Sequence, residues 1–121
     1  MLVLSNPVVG REAEFERWYS EVHVPQMLEQ PGFVSCQRFV LSDVQMSGSH
    51  PHRYLALWEI EGTDLSDVFE RLRRDMKTGA LAGCEAFDQA TAVSHVFTPI
   101  GERSVRRSRT AVSMKERPCP C

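Results

Sequence analysis

The chain has 121 residues, 42% of them apolar and 25% charged, with a formal net charge of −2. That length supports one domain burying roughly two-thirds of its unfolded surface, and it excludes both a two-domain enzyme and a core that needs disulfide staples. The charge is uneven. Residues 1–100 carry 8 Lys and Arg against 14 Asp and Glu, while residues 101–121 carry 6 against 2, and an acidic body argues against nucleic-acid binding.

Met1–Ser5 reads as a short apolar strand closed by Asn6-Pro7. Met1-Leu-Val-Leu is too short for the apolar stretch of a signal peptide and lacks a basic flank, so no leader is expected. Pro7 and Gly10 make a turn. A helix then runs from Arg11 to about Val24, with Glu12, Glu14 and Glu16 early, where carboxylates suit the helix dipole. Phe15, Trp18, Tyr19 and Val22 recur at i, i+3, i+4 and i+7, one apolar face. His23 follows Tyr19 by one turn, on the flank of that face. Pro25 is expected to stop the helix, because it lacks an N–H and disfavours helical geometry at Val24. Pro25–Gln30 can add a second, offset turn, with Pro25 at its permitted first position. A histidine beside such a break is either pointed into a cleft or left on the surface.

Pro31-Gly32 signals a turn, and Phe33–Leu41 a strand. Alternation sends Val34, Cys36, Arg38 and Val40 one way and Phe33, Ser35, Gln37, Phe39 and Leu41 the other. Polar groups spaced along the second set suit a cavity wall. Ser42–Pro51 is a loop. His52–Ile60 is the next strand, with Tyr54, Ala56, Trp58 and Ile60 opposite Leu55, Leu57 and Glu59. Thr63 or Asp64 caps a second helix on which Leu65, Val68, Phe69, Leu72 and Met76 repeat at helical spacing. Gly79 closes it. Ala80–Asp88 is a connector. Ala90–Pro99 is the last strand, with Val93, His95 and Phe97 on one face. Residues 101–121 form a basic tail, expected to be disordered.

Strand, helix, strand, strand, helix, strand is the order of a ferredoxin-like α+β domain, here spanning residues 1–100. Both helices then cover one sheet face, and the apolar opposite face needs a cover. The same face of a second copy, related by a two-fold axis, is the economical one. No apolar run approaches the roughly 20 residues of a membrane helix. Cys36 and Cys84 stand alone, and Cys119-Pro120-Cys121 is no disulfide framework. Reduced thiols and a cytoplasmic protein are expected.

The run Trp18-Tyr19-x-x-x-His23-x-Pro25, then Pro31-Gly32-Phe33 opening a strand with Arg38-Phe39, resembles the EthD-like group of the dimeric α/β-barrel superfamily. Tyr54-Leu-Ala-Leu-Trp58-Glu resembles that group's third strand. The resemblance covers about residues 1–100. It implies a homodimer whose sheets close into a barrel, with a pocket in each subunit between sheet and helices, and it makes His23 the motif histidine. Families of this fold include small cofactor-free isomerases, polyketide cyclases, quinone-forming monooxygenases and haem-handling enzymes, along with proteins of no known activity.

His23 has the strongest claim to chemistry, since an imidazole both takes and gives a proton near neutral pH. Tyr19 could orient it or donate to an oxyanion. Arg38 would bind a carboxylate or enolate if it faced the pocket; the plainer reading is an ion pair with one of the many acids. His95, mid-strand between Val93 and Phe97, is more often a core or interface residue than a site residue. Trp18, Phe33, Trp58 and Phe39 suit either a core or the lining of a flat apolar ligand's pocket. His50-Pro51-His52 and Cys119-Pro120-Cys121 offer too few ligands for a metal site. No phosphate loop, nucleophile elbow or HExxH motif is present. The expected function is cofactor-independent acid–base chemistry, an isomerisation, cyclisation or dehydration of a small apolar carbonyl or aromatic compound. His23 and Tyr19 would be catalytic, with Trp18, Arg38, Trp58, Phe33 and His95 binding substrate. The alternatives are a non-catalytic binder or pathway accessory, and a cofactor-free monooxygenase. No cofactor, metal, nucleic acid or membrane partner is expected.

Overall fold

The computed structural model describes residues 1–62 and 64–108. The elements are β1 (Leu2–Ser5), α1 (Glu12–Trp18), a π-helical turn (Tyr19–His23), α2 (Val24–Leu28), β2 (Phe33–Val40), β3 (Tyr54–Ile60), α3 (Leu65–Thr78) and β4 (Val93–His95). The strands form one antiparallel sheet in the order β2-β3-β1-β4. This is an α+β architecture. Thr63 and residues 109–121, with Cys119 and Cys121, lie outside the described residues, and so does the greater part of the tail assigned as disordered.

The alternation read from β3 holds. Ala56 and Trp58 are buried in the core beneath the helices. Leu57 stands across from Leu2 and Gln37, and Leu55 across from Leu4 and Phe39, on the opposite face. That face stays open: Phe39 and Leu57 are 40% and 39% exposed.

β2 corrects the alternation at its start. A register shift between Phe33 and Ser35 acts as a β-bulge, and one extra residue turns the following side chains over. Phe33 is therefore buried in the core with Cys36 packed against it, while Val34 is 47% exposed. Gly32 feeds this strand at φ 93°, and a Cβ there would lie 3.0 Å from the Glu61 carbonyl oxygen and 3.1 Å from a Val68 methyl. Only glycine lets the chain pass between β3's exit and α3. β4 is also shorter than the expected Ala90–Pro99. Its three residues pair with β1, and beyond them Phe97 is 67% exposed, with no ladder to hold it.

The larger correction concerns Pro25. It does not stop the helix, which runs on to Leu28. The π-turn absorbs it: the Val24 N–H donates to the Tyr19 carbonyl, five residues back, and the ladder changes register at the one residue with no N–H to place. The extra residue also rotates the rest of the helix. Val24, rather than the expected Val22, packs against the core.

α3 begins as expected. The Asp64 carboxylate accepts from the Asp67 N–H at 3.0 Å, and Gly79 closes it at φ 81°. Its only buried side chain is Leu72.

Candidate functional site

The π-turn builds the site. Trp18 and His23 are five residues apart, which on an α-helix would set them about 140° apart. Here their rings stack at 4.6 Å and 21°, with the Tyr19 ring edge-on to the imidazole at 4.9 Å. π-turns recur at functional sites because the inserted residue re-aims side chains without ending the helix.

These three rings line a cleft of about 540 Å³ between the first helical segment, α3, the connector after Gly79 and the β1–β4 end of the sheet. Met1, Val3, Leu72 and Phe87 supply apolar wall, and no Asp, Glu, Lys or Arg side chain lines it. The connector is held from both sides at Ala82, whose carbonyl accepts from the Trp18 indole N–H at 3.1 Å and whose N–H donates to Gln26 at 2.9 Å. Trp18 thus forms part of the cleft wall and ties down the segment opposite.

Burial, and then the positive charge of Arg38, pushes the His23 pKa down to about 4. The imidazole is neutral at physiological pH. Its Nδ1 is sealed from solvent without a partner, so Nε2 is the nitrogen open to the cleft. Burial, with a smaller contribution from neighbouring Cys36, raises Tyr19 to about 12 despite Arg38 and the Trp58 indole, which favour the phenolate. Tyr19 is a neutral phenol. Its hydroxyl is sealed and makes no hydrogen bond, even though the equally unbonded Trp58 N–H lies near.

Of the seven residues expected at the site, Trp18, Tyr19 and His23 come together in the cleft. Trp58 stands behind His23 at 5.9 Å, ring to ring, and Phe33 behind Trp58 at 5.9 Å. Both are core residues. Arg38 does not reach the cleft. Its guanidinium lies 4.3 Å from the Tyr19 ring centroid and is taken by Glu16 and Ser20, so the ion-pair reading was the right one. His95 pairs with Leu2 in β4 on the open sheet face, away from the cleft. No β2 residue lines the cleft; Phe39 and Leu41 instead border a shallower depression of about 290 Å³ at the hairpin's loop end.

The sequence reading missed the opposite wall. Leu81, Cys84 and Phe87 lie in a segment read only as a connector, and its apolar residues were the available signal. His50 and His52 do not form a pair: each ring nitrogen meets a backbone carbonyl, of Ser47 and Thr91. Among the described residues no three His, Cys, Asp or Glu side chains gather as metal ligands, and no helix is long and apolar enough to cross a membrane.

No protein-family model matches the chain, no curated protein matches it, and no solved structure matches it.

Proposed function

We propose that the cleft is the active site of a cofactor-independent acid–base enzyme, of isomerase, cyclase or dehydratase type, acting on a small, largely apolar carbonyl or aromatic compound. One observation carries this: a neutral, unbonded imidazole opens on an apolar cleft that has no charged side chain in its lining. Apolar walls with no competing charge strengthen each polar contact His23 makes with a carbonyl. An imidazole with so low a pKa is a weak base, which narrows the substrate to one whose proton is already activated by a carbonyl. Trp18 supplies a flat surface for an aromatic or enone ring. Tyr19 acts as a support for His23 rather than a group that meets substrate.

The strand order β2-β3-β1-β4 and the Trp18–Pro25 motif support a ferredoxin-like sandwich of the EthD-like kind. The open apolar face around Phe39 and Leu57 supports pairing with a second copy as a dimeric barrel.

The test begins with native mass spectrometry of untagged protein from its own host. A dimer carrying a small-molecule increment supplies the compound, and solvent deuterium incorporation into that compound then reads proton transfer. Replacing His23 with Ala should slow incorporation by about 10²–10⁴-fold. Full activity in a folded His23→Ala variant would sink the proposal. Turnover that requires oxygen would move it to the cofactor-free monooxygenase.

A second reading has its own support. Arg38 is tied to Glu16 and the Tyr19 hydroxyl is sealed, so the cleft holds one neutral imidazole and no charged side chain. A carrier or accessory subunit needs no more than that. It would bind the same compound with no exchange.

A further inference from the structure

We infer that His23 rests as its Nε2–H tautomer and offers the cleft a hydrogen-bond donor, so that the site selects an uncharged ligand presenting a carbonyl-type oxygen. This rests on the reading of the cleft as the ligand site, and it decides which end of the imidazole works there.

The argument starts from the sealed nitrogen. Nδ1 has no solvent and no partner. A buried N–H left without an acceptor is rarer than a buried acceptor left without a donor. No acceptor for an Nδ1 proton lies within hydrogen-bonding distance. The Tyr19 carbonyl, one turn back, holds the Val24 N–H and makes no bond to Nδ1. The Trp58 indole, whose ring lies 5.9 Å from the imidazole, has only a donor to offer, and that donor is itself sealed and unbonded. Arg38 acts on His23 as a positive charge and also donates only. The Trp58 donor and the Arg38 cation nearby favour a lone pair at Nδ1. The proton then belongs on Nε2, which faces the cleft.

Most acid–base histidines fix the other tautomer by giving Nδ1–H to a carboxylate or carbonyl, which turns the Nε2 lone pair toward the substrate. Here Nδ1 meets no carboxylate or carbonyl. A donor in an apolar cleft pairs with an oxygen, and the pairing strengthens as that oxygen gains enolate character. In this resting state His23 meets the ligand at its carbonyl oxygen. An anionic ligand has no cation in the lining to meet it.

The test is a long-range ¹H–¹⁵N correlation spectrum of labelled protein at pH 7, with the His23 signals assigned by their absence in His23→Gln. The expected pattern is a protonated Nε2 and a pyridine-like Nδ1. A protonated Nδ1, or signals averaged between tautomers, overturns the inference while leaving an acid–base His23 in place with its lone pair toward the cleft. A second arm compares acetophenone with ethylbenzene, read by tryptophan fluorescence. The ketone should bind roughly threefold to tenfold more tightly, the size of one net hydrogen bond. The preference should persist in His23→Gln, which keeps a donor near Nε2, and vanish in His23→Leu. Equal or unmeasurable binding of the two probes, or a preference that survives in His23→Leu, overturns the selection for an oxygen. A folded His23→Ala variant with unchanged turnover would instead remove the enzymatic reading and leave the tautomer assignment standing.

Discussion

The two helical segments cover the same sheet face by opposite means. The first, Glu12 to Leu28, has no side-chain cap and contains both a π-turn and a proline. Yet it buries Phe15, Tyr19 and Met27, each at most 4% exposed. α3 has a capping aspartate, a glycine stop and an Arg71–Asp67 ion pair along its surface, but it buries only Leu72. Of the two, the segment better specified by its own sequence is the one held less by the fold. Packing fixes the segment that carries His23, and the cleft's opposite wall rests on a helix whose order is mostly local.

The largest test of that contrast is Phe15→Ala. Phe15 is fully buried and its ring meets those of Tyr19, Tyr54 and Phe87, so truncation should cost about 3–5 kcal/mol in chemical denaturation. A cost no greater than that of Leu72→Ala would break the comparison.

Acid should come next. His23 has its folded pKa pushed below the unfolded value, to about 4, so the unfolded chain binds the extra proton. The stability is present above pH 6.5 and lost as pH falls from there toward 4, by up to about 3 kcal/mol. In His23→Gln this acid slope should flatten, while the core stays as stable near neutral pH or becomes more so. Tyr19 has the opposite sign: its folded pKa of about 12 gives stability below pH 10 that is lost as pH rises through 10 to 12.

Leu72→Ala should cost about 2–3 kcal/mol, at the lower end for a leucine because the site lies at the rim of the cleft and can relax. Hydrogen exchange sharpens the point. Amides of α3 should open at lower free energy than those of α1, and in the Leu72→Ala variant they should exchange faster still while α1 is unchanged. The smallest effect is Asp64→Ala, about 1 kcal/mol from the lost cap, seen in thermal melting. A much larger loss would mean that the helix is anchored more by its start than by Leu72.

Where the sequence was legible, the signal was local and repeated. β3 alternates strictly, and its two faces went where the alternation sent them. α3 was readable at both ends because Asp64 and Gly79 act on their own backbone. The pairing of Arg38 with an acid was the plainer of two readings, and Glu16 proved to be the acid. Three of the misses share one cause, a residue inserted into the repeat. Phe33 was placed on the wrong face because a bulge changes the period, and no single residue announces a bulge. Val22 was placed in the core for the same reason one element earlier, since the π-turn adds a residue to the helical repeat. Pro25 read as a stop because the rule assumes an i to i+4 ladder.

By itself the sequence determined the order of the elements, the two faces of β3, the limits of α3 and the nomination of His23, Tyr19 and Trp18. The first three come from hydrophobic period or backbone chemistry within a few residues, and the nomination of the site residues drew also on the family resemblance. The tertiary structure decided the rest: that Trp18 stacks on His23, that Arg38, Trp58 and Phe33 stand behind the site and His95 on the far face, and that the Ala80–Asp88 segment closes the cleft. These are relations between residues distant in the chain, or shifts of one residue in register. Their energies come from burying a particular ring against a particular neighbour, which no local pattern records.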